Sequence, residues 1–194
     1  MEFLDPEITY NDQIFLKVMI VGKSEIGKSF FCHRINLDYT KFQQLNLKYI
    51  PTIGFEFYKK AFKYRNKFFL LQIWDTFGQE IYQSLIKSFY RNAKIYLIFY
   101  DALDRNSFER AKSFFEDIKT ECNTINPIYV LIRSKYENVL NREEKNDIVT
   151  DEEALEFADE NNIYFFHIGI LEKYETGIND LFEFTLNEYI NRNL

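Results

Sequence analysis

The octapeptide Gly22-Lys23-Ser24-Glu25-Ile26-Gly27-Lys28-Ser29 constrains this chain more than any other segment, because it fits G-x-x-x-x-G-K-S/T. It follows the mostly apolar run 15–21 and precedes a helical pattern, the strand-loop-helix context that such a loop needs. Glycines at its two ends let the backbone turn its N–H groups inward over Ser24, Glu25, Ile26 and Gly27, and the following helix adds the positive end of its dipole. Lys28 then reaches the outer phosphates of a polyphosphate, and the Ser29 hydroxyl ligates Mg²⁺.

A glycine turn before a helix also serves plain packing, so companions matter. The chain has only six glycines, and four of them, Gly22, Gly27, Gly54 and Gly78, fall in segments that the phosphate reading uses. An apolar run ending in Trp74-Asp75-Thr76-Phe77-Gly78-Gln79-Glu80 delivers a carboxylate to a strand tip, which places Asp75 as a second partner for Mg²⁺, through water.

Short β-branched or aromatic runs alternate with amphipathic segments, the pattern of an α/β domain. Strands are predicted at 14–21, 55–64, 67–74, 95–100, 128–132 and 163–167, with the second and third forming an antiparallel hairpin that turns at Arg65-Asn66. Helices are predicted at 28–36, 82–91, 107–121, 151–161 and 178–191. The stretches 41–51 and 136–149 have no clear period and read as loops. The expected fold is therefore a six-stranded, mostly parallel sheet with one antiparallel strand, flanked by about five helices, in a single domain over 1–194 with a short N-terminal extension, 1–12.

The 194 residues are 46% apolar and 28% charged, enough for one self-sufficient core and unlike a disordered chain. No apolar run approaches the ~20 residues of a membrane span. Cys32 and Cys122 are too few for a disulfide framework, and both read as reduced thiols. A net charge of -6 argues against wrapping a nucleic-acid backbone, while leaving room for small anions held by a few local donors. The N-terminus lacks a secretory pattern, and Glu2 stands where myristoylation needs glycine, so a cytoplasmic protein is expected. His33 and His167 read as a helix-surface and a strand-end residue, with no zinc spacing around them.

Between the two phosphate segments lies Tyr49-Ile50-Pro51-Thr52-Ile53-Gly54-Phe55-Glu56-Phe57, where small Ras-like GTPases carry their first switch. Together with Leu71-Gln72-Ile73-Trp74-Asp75-Thr76, Phe89-Tyr90-Arg91-Asn92-Ala93 and Tyr100-Asp101-Ala102-Leu103-Asp104-Arg105-Asn106-Ser107-Phe108, it makes nearly the whole chain resemble the Rab family. The resemblance implies a P-loop NTPase fold of the small G domain type, and a GDP/GTP switch with slow Mg²⁺-dependent hydrolysis in vesicle trafficking. It implies regulatory exchange and activating proteins, and effectors, at the two switches. By resemblance, Thr52 joins Ser29 and Asp75 at the metal, Gly78 bonds the γ-phosphate, and Gln79 orients the attacking water.

Several positions depart from the family pattern. Glu25 puts a carboxylate beside a polyanion, so either it swings to solvent or affinity falls. Phe77 replaces a small residue, and must displace the second switch or pack elsewhere. The base-reading motif Asn-Lys-x-Asp is best matched by Ser134-Lys135-Tyr136-Glu137. Glu137 keeps the carboxylate for the guanine N1 and N2 donors, but Ser134 is too short to reproduce an amide's bridging contacts. In place of Ser-Ala-Lys, Gly169 and Ile170 offer backbone N–H groups to the base, and the lysine is missing. The base-stacking aromatic is open between Tyr39 and Phe42. No cysteine for a prenylated tail stands near Leu194, so either the sequence is truncated or membranes are reached through partners.

These departures leave two readings, a hydrolysing switch and a nucleotide-binding pseudo-GTPase that recruits partners without turnover. A kinase built on the same loop would need an acceptor site and a lid, and no Arg-rich insertion is visible. The aromatic content, 21 Phe and 14 Tyr, fits either a sticky switch surface at Phe55, Phe57, Phe77 and Tyr82 or simply a Phe-rich core.

Overall fold

The computed structural model describes residues 1–37, 55–76, 88–134, 149–169 and 177–193. The strands are β1 (Glu2–Leu4), β2 (Ile14–Val21), β3 (Phe55–Tyr64), β4 (Lys67–Thr76), β5 (Ile95–Asp101), β6 (Ile128–Ser134) and β7 (Tyr164–His167). Four helices lie among the described residues: α1 (Lys28–Asn36), α2 (Arg105–Glu121), α3 (Asp151–Asn161) and α4 (Ile178–Asn193). Of the fifth expected helix, 82–91, residues 82–87 lie outside them, Ser88 and Phe89 are helical, and Tyr90 and Arg91 already belong to a bend and turn.

The sheet order is β1-β3-β4-β2-β5-β6-β7. Strands β4, β2, β5, β6 and β7 run parallel, and β3 is antiparallel to β4. The expected six strands become seven, because residues 2–4 of the segment read as an extension pair antiparallel with β3, Phe3 opposite Phe62. Three residues are too short to show a period of two, and it is the pairing that makes them a strand. The ring of Phe3 lies 5.2 Å from that of buried Phe62, under the Lys60 ammonium at 4.7 Å.

The β3–β4 hairpin closes at Arg65-Asn66, both at positive φ (47° and 59°), as a two-residue turn whose twist matches the strands. Strand β5 is buried along its whole length, which is why it reads as an unbroken apolar run.

Alternation along the central strands sends side chains to two cores. On one face Leu16, Val18, Ile20, Leu97 and Phe99 pack against Phe31 and Ile35 of α1 and Leu181, Phe182 and Leu186 of α4. On the other, Met19, Val21, Ile98, Tyr100 and Leu131 meet Phe108, Ala111, Phe115 and Ile118 of α2 and Ala154 and Ala158 of α3. The i, i+3, i+7, i+10 spacing of those α2 residues is the helical stripe that the sequence shows. Asp104 caps α2, accepting from the Ser107 N–H, and Thr150 caps α3, accepting from the Glu153 N–H. Parallel strands thus deliver the ends of β2, β4, β5, β6 and β7 to one edge of the sheet, where their loops converge.

Phe62 touches both Phe3 and Phe182. Phe62→Ala is expected to lower the unfolding free energy by about 3–5 kcal/mol, and Phe3→Ala, half exposed, by only about 1 kcal/mol. Urea unfolding followed by circular dichroism checks both.

Candidate nucleotide-binding site

The loop between β2 and α1 sits at that edge. Gly22 has φ 145°, and a Cβ there would stand 2.6 Å from the Phe99 carbonyl oxygen and 2.7 Å from Ile26 Cδ1. Only glycine lets the loop pass so close to β5. Gly27, at φ 102°, is the N-cap of α1, and no side chain caps that helix. The start of a helix leaves its first N–H groups without intrahelical acceptors, and these are the donors an anion site uses.

Lys28 is buried, and its ammonium donates to the carbonyls of Gly22 (2.9 Å) and Lys23 (2.7 Å). Burial pushes its pKa down to about 8, against the opposing pull of the Asp75 carboxylate. A positive charge with so little water around it is poised for a polyanion.

Asp75 lies near the end of β4 opposite Ile20 of β2, fully buried. The Ser29 hydroxyl donates to its Oδ2 at 2.6 Å, while its Oδ1 is buried with no hydrogen-bond partner among the described residues. Burial raises the Asp75 carboxyl, with Lys28 and Ser29 acting the other way. A hydroxyl oxygen and an unpartnered carboxylate oxygen, both hard donors, fit a Mg²⁺ ion. Neighbouring Thr76 turns inward, its hydroxyl donating to the Ile20 carbonyl at 2.7 Å.

Glu25 takes a left-handed backbone, φ 67°, and its side chain is exposed. Of the two outcomes open to it, the structure shows the swing to solvent. Ile26 points its side chain into the core, so only its backbone belongs to the loop.

At the other end of the site Ser134 closes β6 beside Asp101 of β5. It is fully buried, and its Oγ lies 2.7 Å from the Ile26 carbonyl oxygen and 3.0 Å from that of Tyr100. The end of β6 comes near enough to the phosphate loop for this short hydroxyl to reach it, through backbone carbonyls alone. Gly169 lies just beyond β7, whose end is fastened to β6 by the Ile168 N–H donating to the Arg133 carbonyl at 3.0 Å. Gly177, which no sequence motif singles out, precedes α4 at φ 80°, where a Cβ would stand 2.3 Å from the His167 carbonyl oxygen.

Thr52, Gly78, Gln79, Lys135, Glu137 and Ile170 lie outside the described residues, as do Phe77, Tyr82, Tyr39, Phe42 and the side chain of Phe55. The described site therefore brings together the phosphate loop, Ser29, Asp75, Ser134 and Gly169.

Three features escape a reading of the sequence. The Lys23 ammonium pairs with Asp104 at 2.7 Å and ties the phosphate loop to the cap of α2. Partial burial raises the Asp104 carboxyl, but its hydrogen bonds from Lys23 and the Ser107 N–H outweigh that and hold it below its ordinary range. Buried Arg133 pairs with Asp151 at the start of α3, and Asp151 also meets His167 Nε2 at 3.1 Å, so one carboxylate links the ends of β6 and β7. Phe57, 43% exposed, stands edge-on to Trp74 at 5.3 Å, and Trp74 lies 5.8 Å from Phe89. The Lys17 ammonium sits 5.0 Å over the Trp74 ring and donates to the Phe89 carbonyl at 2.6 Å. The only signal for these contacts is residue type, since most of them join segments far apart in the chain.

A glycine-bounded loop, a buried lysine and a hydroxyl-carboxylate pair at the carboxyl edge of a mostly parallel sheet define a nucleotide-binding α/β protein of the phosphate-loop class. The Ras family model matches residues 17–191, and the chain belongs to that family. It is similar to the Ras-related protein Rab-11B of Dictyostelium discoideum, 32% identical over 170 residues, which cover 87% of this chain and 72% of the relative. Rab-2B of the same organism is 33% identical over 185 residues (93% and 83%), and mouse Rab-17 is 29% identical over 176 residues (91% and 76%). The chain is a Rab-like small GTPase with the α/β fold of a small G domain.

Two outcomes follow from the site. Glu25→Gly is expected to raise the unfolding free energy by about 1 kcal/mol, because glycine adopts positive φ without the Cβ clash, and denaturant unfolding reads this directly. For Lys28, the folded state loses its proton near pH 8 while the unfolded state holds it to about 10.5, so the unfolded chain binds more protons between those values and stability rises with pH there. The stability of wild type relative to Lys28→Met, without nucleotide, should increase by about 2 kcal/mol between roughly pH 7.5 and 9.5. Urea titrations at the two pH values measure it.

Proposed function

We propose that this protein binds GDP and GTP with Mg²⁺, hydrolyses GTP slowly, and acts in vesicle trafficking as a switch read by other proteins. The observation that carries the reading is the buried Lys28 ammonium, held by the loop's own carbonyls beside the paired Ser29 and Asp75. Lys28 and the first N–H groups of α1 bind the phosphates and neutralise their charge. Ser29 and Asp75, with Thr52, hold Mg²⁺, which supplies charge neutralisation on the phosphate oxygens. Gly78 senses the γ-phosphate and Gln79 orients the water that attacks it. Ser134, Lys135, Glu137, Gly169 and Ile170 form the base end of the site. Loss of the γ-phosphate releases the contacts made by Thr52 and Gly78, which changes the surface offered to partners.

Exchange factors, activating proteins and effectors meet that surface at the two switches. The Phe57, Trp74 and Phe89 rings cluster beside the switch segments, and an aromatic cluster with an exposed member suits a protein partner. The protein works in the cytoplasm and meets membranes through partners or through a lipidated tail.

The second reading, a nucleotide-binding pseudo-GTPase, draws its support from Glu25, a carboxylate at positive φ in the phosphate loop, and from Ser134 in place of an amide. Two measurements separate the readings. Freshly purified protein, denatured and chromatographed, is expected to release near-stoichiometric GDP or GTP; an empty protein counts against the switch. In a single-turnover assay, Gln79→Leu should slow GTP hydrolysis at least ~tenfold, the loss expected when the water-positioning group is removed, and equal inertness of wild type and variant would sink the enzymatic reading.

A further inference from the structure

Ser134 occupies the position from which a base would be read, yet the surroundings of its hydroxyl point inward. The side chain is fully buried, and its oxygen lies between two backbone carbonyls, Ile26 at 2.7 Å and Tyr100 at 3.0 Å. A serine hydroxyl carries one proton. Both neighbours are acceptors, so that proton is shared between them and none remains for a ligand. The N7 and O6 edge of guanine presents acceptors only. Facing it, the serine oxygen has lone pairs to offer and no donor.

Ile26 immediately precedes Gly27, the N-cap of α1, and Tyr100 lies one residue from the end of β5. The hydroxyl therefore fastens the phosphate loop to the strand beneath it. Its partners belong to the loop's scaffold, and their geometry is already complete without a base.

We propose that Ser134 is a positioning residue for the phosphate loop and that this protein recognises guanine without reading N7. The assignment rests on the guanine-nucleotide reading above and narrows it: base choice falls to the edges of guanine other than N7. Removing the Ser134 hydroxyl should then weaken nucleotides through their phosphates, whatever the purine ring carries at position 7.

The test compares GDP with 7-deaza-GDP, in which N7 is replaced by a C–H group, by titration calorimetry on the full chain with Mg²⁺. Wild type should bind the two within about twofold. Ser134→Ala should weaken both by the same factor, about tenfold, leaving their ratio unchanged. Ser134→Asn, which brings an amide N–H₂ donor, should create a preference for GDP of about fivefold or more. A wild-type preference for GDP above about fivefold, abolished by Ser134→Ala, would overturn the assignment while leaving guanine binding in place. Failure of GDP to bind wild type at all overturns the guanine reading and the Ser134 assignment together.

Discussion

A buried ammonium organises this molecule. Lys28 cannot be solvated where it lies, so the loop from Gly22 to Ser29 wraps carbonyls around it, and Asp75 arrives from β4 to oppose its charge. That arrangement is possible only because Gly22 lets the loop cross β5 within a distance no side chain tolerates. The parallel sheet matters for the same reason. Parallel strands carry Val21, Asp75, Asp101, Ser134 and His167 to one edge, and the site is the set of loops that leave it.

Around this edge, polar ties hold the loops to one another. Lys23 reaches Asp104, Ser134 reaches Ile26, and Asp151 joins Arg133 to His167. Each tie connects ends of different elements, so the ligand-facing loops inherit their geometry from the sheet. Below them the packing is largely aromatic. Phe31 meets Phe99 and Phe182, and Phe157 meets Phe108 and Phe115, with centroid separations between 5.3 and 6.2 Å. Among the described residues, the abundant phenylalanine chiefly builds cores, with Phe3, Phe15 and Phe57 as well-exposed exceptions.

Much of this was legible in the residues. The bounds of β2, β3, α1 and α3 coincide with those expected, because each segment has a clear period and a local start or stop signal. The hairpin turn at Arg65-Asn66 was legible too, despite an arginine at positive φ, because the flanking alternation left two residues for it. Strand β1 was not, since three residues carry no pattern and become a strand only through their pairing with β3. The tie from Ser134 to Ile26 was not legible either, because it depends on how closely two strand ends approach, which residue type does not encode.

The sequence by itself determined the phosphate loop and its chemistry, since the Gly22 to Ser29 segment is contiguous and glycine, lysine and hydroxyl act through local backbone geometry. Tertiary structure decided which groups complete it. Ser29 meets Asp75 across 46 residues, and Ser134 meets Ile26 across 108. Contacts at such separations depend on strand order and register, which follow from burying two apolar faces at once, and no short stretch of sequence contains that information.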